Sequence, residues 1–118
     1  MEAQRYRQRV TFQMQVEEQD SETGALTRTW ETVELDSETP LSDVPAEVLT
    51  GPGREFNAAD AKQAETSARI NLRWFPDLDQ SWRVVWDGRN YDILSWETDL
   101  TGRRELRLRV KHGVTDGS

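Results

Sequence analysis

The stretch from Trp82 to Trp96 constrains this chain most. Two runs rich in valine, isoleucine and aromatic residues, Trp82-Arg-Val-Val-Trp86 and Asn90-Tyr-Asp-Ile-Leu-Ser-Trp96, meet at Asp87-Gly88. Asp-Gly readily takes the positive φ values of a type I′ turn, whose twist matches that of paired strands, so the stretch reads as a β-hairpin.

Period-two alternation recurs along the chain. Val10, Phe12, Met14 and Val16 alternate with polar residues and predict a strand over about residues 7–18. Asp20 to Gly24 is turn chemistry, and the Thr- and Val-rich run from Leu26 to Leu35 around Trp30 reads as a second strand antiparallel to the first. Asp36 to Asp43, with acids and a proline but no apolar period, reads as an exposed loop. Val44 to Leu49 predicts a short strand, which Pro45 assigns to a sheet edge. After Gly51-Pro-Gly53, alanines at 58, 59 and 61 predict one short helix within about residues 54–65. Ile70, Leu72 and Trp74 restore the strand period, and the runs Trp82–Trp86, Asn90–Glu97 and Arg104–Lys111 complete the set.

The fold class expected is therefore mainly β: a small antiparallel β-barrel or sandwich of about seven strands with one short helix. A length of 118 residues suits a single domain, 1–118, with frayed ends at about 1–6 and 112–118. Phe12, Trp30, Ile70, Leu72, Val84, Ile93, Leu106 and Leu108 are the expected core. Hydrophobic residues are only 35% of the chain, but five tryptophans and three phenylalanines supply much apolar area in few positions.

Charge is unevenly distributed. Residues 17–65 carry 13 acidic and 3 basic side chains, a net −10, whereas residues 66–111 carry 7 acidic and 9 basic, a net +2. Two electrostatically different surfaces would let copies meet head to side. The chain has no cysteine, which excludes disulfides and thiolate metal sites and suits a reducing compartment. No apolar run approaches the roughly 18 residues of a membrane span, so no membrane partner is expected.

The inventory for catalysis is poor, and no enzyme, metal or cofactor is expected. His112 is the only histidine and falls in the expected tail, so a Ser-His-Asp arrangement would depend on a mobile residue. Asp77 with Asp79, and Asp36 with Glu38, lack the spacing of a calcium loop and read as solvated turn carboxylates. An alternative function is a single-stranded nucleic-acid-binding barrel, in which Trp82, Trp86 and Trp96 stack bases while Arg73, Arg83 and Arg89 meet phosphates. Against it stand the acidic balance of −7 and the two-residue spacing of Trp82, Val84 and Trp86, which puts all three on one, core-facing side of a strand.

Taken in order, several pieces resemble the phage head-tail joining family, also called head-closure or head-tail adaptor proteins, across roughly residues 7–112. These are Arg9-Val-Thr-Phe-Gln13, Gly24, Trp30, Pro45-Ala-Glu-Val48, Gly53-Arg-Glu55 and Arg69-Ile-Asn-Leu-Arg73. Pro76, Trp82-Arg-Val-Val85, Asp87-Gly-Arg89, Tyr91-Asp-Ile93 and Arg103-Arg-Glu-Leu106 continue the series. No single piece is specific; their order is. The resemblance implies a structural virion protein of the neck, a head-tail connector or stopper that closes the DNA-filled head below the portal and its adaptor. It also implies docking of the tail, through a tail-completion protein, and packaged double-stranded DNA passing through the channel. It implies rings of about twelve copies, assembled in the bacterial host cytoplasm, from a phage, a prophage or a phage-derived particle.

Glu31 to Asp43 is longer and more acidic than the family's usual link. The loop from about residue 34 to 52 is expected at the channel wall or the contact with the adjoining ring, with Glu34, Asp36, Glu38 and Asp43 toward the DNA path. Arg103 and Arg104 are expected at the subunit interface.

Overall fold

A computed structural model describes residues 5–36, 38–50, 67–99 and 101–112. The helix expected within 54–65 lies outside the described residues.

Alternating side chains make the long first strand, β1 (Gln8–Gln19), two-faced: Val10 and Phe12 are buried while Gln8, Arg9 and Thr11 are not. It is followed by β2 (Leu26–Thr32), two short strands β3 (Glu34–Leu35) and β4 (Thr39–Pro40), then β5 (Val44–Thr50) and β6 (Ala68–Arg73). The chain continues with β7 (Arg83–Trp86), β8 (Arg89–Thr98) and β9 (Glu105–His112). Asp87 and Gly88 join β7 to β8 at φ values of 53° and 73°, the two positive angles of a type I′ turn.

All pairings are antiparallel, and the seven-stranded sheet runs β2-β1-β5-β6-β9-β8-β7. It curls until β7 meets β1 again, with Phe12 opposite Val84. Closure satisfies strand edges that would otherwise be left open. A shift in register between Ile93 and Ser95 marks a bulge in β8 against β9, a device that bends a strand around a barrel.

The interior is apolar. Val10, Phe12, Ala46, Ile70, Leu72, Val84, Ile93, Leu106, Leu108 and Val110 are all at most 4% exposed. At one end Phe12 meets Phe75 edge to face, with centroids 5.3 Å apart, and Trp82 stacks on Phe75 at 6.5 Å. Among the described residues no charged side chain is buried.

Four sequence-based expectations require correction. Trp30 is half-buried rather than in the core, because β2 pairs only with the part of β1 that runs past the barrel. Despite Pro45, β5 is an interior strand: Pro45 opposes Arg9 and lies outside the ladder to β6, which spans Ala46–Thr50, so that ladder loses no donor. Tyr6 is no frayed end; it is buried, and its hydroxyl donates to Glu105 Oε2 at 2.7 Å. His112 ends β9, with its N–H donating to Ser67 Oγ at 3.0 Å and its ring 5.6 Å from that of Tyr91.

Candidate functional site

With an apolar interior, the candidate sites are surfaces, and the acidic segment after β2 is the first. Expected as an irregular loop, it is a small hairpin in which Glu34 pairs with Pro40 and Leu35 with Thr39. Its base is tied to β1 at Phe12, and the Asp43 N–H adds a bond to Thr11 Oγ1 at 3.2 Å. The Phe12 N–H donates to the Leu41 carbonyl at 2.9 Å, the Phe12 carbonyl accepts from Val33 at 2.9 Å, and Leu41 donates to Val33 at 2.8 Å. Val33 and Leu41 are themselves buried, so the hairpin stands on two core side chains. At its turn Asp36 takes a φ of 46° and its carboxylate accepts from the Glu38 N–H at 3.2 Å. Glu34, Asp36, Glu38 and Asp43 are all exposed, four carboxylates on a positioned support.

Arg103 and Arg104 occupy the turn between β8 and β9. Asp99 builds that turn: its carbonyl accepts from the Arg103 N–H at 2.7 Å and its carboxylate from Thr101 at 3.1 Å, leaving Arg103 at a φ of 48°. The Arg103 guanidinium lies 5.8 Å from the Trp74 ring centre, a cation–π contact, and Arg104 is exposed beside it. The acidic hairpin and the arginine pair belong to different elements of the fold.

The tryptophans of the nucleic-acid alternative are not brought into one platform. Trp82 packs on Phe12 and Phe75, and Trp86 leans on Tyr91 while its Nε1 donates to Gln8 at 3.3 Å. Trp96 is 37% exposed and shares a small depression with Arg69, Arg107 and Arg109. Arg83 is engaged by Gln13 and Trp30. Among the described residues no group of three or more His, Asp or Glu is placed to hold a metal ion.

One polar network escaped the sequence reading. Arg5 bridges Glu47 Oε1 at 2.8 Å and Glu105 Oε2 at 2.9 Å, Asn71 donates to Glu47 at 2.9 Å, and Arg107 donates to Glu105 at 3.2 Å. The hydrogen bond from Arg5, then that from Asn71, holds the Glu47 carboxyl below the usual glutamate range, and the same contact raises the Arg5 guanidinium. This latch fastens the segment before β1 to the outer faces of β5, β6 and β9. No local motif announces it, since its members are up to 102 positions apart in β strands that only the fold makes neighbours.

The fold defines a small antiparallel β-barrel protein whose charged side chains, among the described residues, lie on its outside. The chain matches the model of the phage head completion protein family over residues 1–113, and it belongs to that family. It is thus a structural, head-related phage protein and a virion component. In fold it is similar to the solution structure of protein SF1141 from Shigella flexneri 2a, with a TM-score of 0.72 and 24% identity over 98% of this chain and 99% of that one. A search of curated proteins gave no match.

Proposed function

We propose that this protein forms part of the phage neck, as a ring that closes the DNA-filled head below the portal or adaptor and presents the docking surface for the tail. One observation carries the reading: a head completion barrel whose interior is wholly apolar bears an acidic hairpin, Glu34 to Asp43, rooted in its core through Val33 and Leu41. A rooted hairpin keeps its carboxylates at a defined position in every copy. Carboxylates at a channel wall repel phosphate, so double-stranded DNA passes without sticking, whereas a basic wall would hold it through counterion release. In this reading Glu34, Asp36, Glu38 and Asp43 face the channel or the adjoining ring, and Arg103 and Arg104 lie at the contact between copies.

The partners are further copies, about twelve in the particle, the portal or adaptor ring, and a tail-completion protein. Assembly takes place in the host cytoplasm. Removing the protein should leave DNA-filled heads without tails, and purified protein added to such heads should restore tail joining. Tails that join unaided would sink the reading.

A further inference from the structure

We propose that the β1–β2 arm of one copy docks on the outer face of β5, β6, β9 and β8 of the next; this rests on the neck-ring reading above. Beyond Gln13, β1 pairs only with β2, over six residue pairs, and nearly every side chain on that ribbon is exposed. Two-stranded ribbons are marginal alone in water, so an arm this long gains from a surface to lie on. It is acidic: Glu17, Glu18, Asp20, Glu22 and Glu31 against Arg28 alone.

The complementary surface is one row across four strands. Leu49 of β5 opposes Arg69 of β6, Arg69 opposes Arg109 of β9, and Arg109 opposes Ser95 of β8, with Trp96 next to it. Like charges directly opposed across strands repel, and among the described residues neither guanidinium has a hydrogen bond or ion pair. An incoming carboxylate would relieve that repulsion. Arg107 and Arg73 lie on the same outer face but oppose carboxylates, Glu97 and Glu105 respectively, which leaves Arg69 and Arg109 as the cations there without a partner among the described residues.

Exposed apolar side chains follow the same division. Among the described residues the large ones are Met14, Leu26, Leu49 and Trp96, at 39%, 63%, 38% and 37%. Two lie on the arm, and two flank the opposed arginines. On the arm Met14 sits directly opposite Glu31 on one ribbon face, with Leu26 on the other, while Leu49 and Trp96 lie beside the opposed arginines on an outer face that also carries Glu47, Glu97 and Glu105. Such a contact is heterologous, arm to sheet rather than patch to itself, and heterologous contacts that close generate rings.

The test uses Glu18→Lys/Glu22→Lys/Glu31→Lys, whose side chains have no partner among the described residues, and Arg69→Glu/Arg109→Glu, with Arg69→Gln/Arg109→Gln as a milder patch variant. Circular dichroism confirms folding. The readout is copies bound per DNA-filled head lacking the protein, with sedimentation velocity of the full chain alongside. Each reversed variant alone should bind about tenfold less than the parent, since individual exposed pairs are weak and several must be lost. An equimolar mixture of the two reversed variants should recover binding, because Lys arms then meet Glu patches and Glu arms meet Arg patches. If both reversed variants bind heads as the parent does, or the mixture fails to recover, the docking assignment is wrong while the neck reading stands. If the parent never binds such heads, the neck reading itself falls. Capture of a labelled DNA duplex that depends on Arg69 and Arg109, with head binding insensitive to the arm, would assign the patch to nucleic acid and overturn the proposal.

Discussion

The guanidinium of Arg83 lies over the indole of Trp30, 4.2 Å from its ring centre, while its Nε donates to Gln13 Oε1 at 2.8 Å. One side chain of the barrel strand β7 thereby grips both strands of the projecting arm at its root. Gln13 is the residue at which β1 is paired on both sides, to Thr32 and to Arg83.

Trp30→Ala should therefore loosen the arm and spare the barrel. A cation–π contact of this kind contributes about 0.5–1 kcal/mol at a partly exposed site. Hydrogen exchange should show the Val16 amide opening more readily, with that of Leu108 unchanged. Equal protection of both would mean that the ribbon holds itself.

Leu41→Ala tests whether the acidic hairpin stands on the core. Leu41 is 5% exposed, so its truncation should cost about 2–5 kcal/mol in urea unfolding, as should that of Ile93 at 4%. Ser42→Ala, next to it and exposed, should cost no more than about 0.5 kcal/mol. A mild Leu41→Ala would detach the hairpin from the barrel energetically.

Gly88→Ala isolates the turn. A Cβ there meets nothing within 4 Å, yet φ is 73°, so the cost is backbone strain alone, about 1–2 kcal/mol. Gly88→Asn should cost less, because asparagine tolerates the left-handed region. Urea midpoints at unchanged slope distinguish the two.

The Arg5–Glu47 latch makes stability pH-dependent. Glu47 is depressed in the folded chain, so its contribution is complete above the unfolded glutamate value of about 4.3 and is lost as pH falls from there through the folded value. Thermal unfolding followed downward from neutral pH should show a flatter acid limb in Glu47→Gln than in the parent. Parallel limbs would show that the latch contributes nothing.

Asp36→Lys/Glu38→Lys/Asp43→Lys should fold normally, since all three side chains are exposed. Particles carrying the triple variant should still bear tails but deliver DNA less well. Delivery equal to the parent would take the hairpin out of the channel.

Local chemistry determined much of this protein. Asp87-Gly88 declares its own turn, and alternation over Val10–Phe12, Ile70–Leu72 and Leu106–Leu108 declares both strand and buried face, because adjacent residues carry the whole signal. Acidity at 36–43 was equally plain. Tertiary structure alone decided the rest. Only when β7 meets β1 does Arg83 reach Trp30, making Trp30 an arm residue rather than a core one. Pairing between distant strands likewise puts β5 inside the sheet and sets Arg69 against Arg109, while tertiary packing buries Leu41 and draws Tyr6 to Glu105. These relations link residues tens of positions apart. Period and propensity describe how a residue sits among its chain neighbours, and strand register across a closed sheet is set by packing that no local window contains.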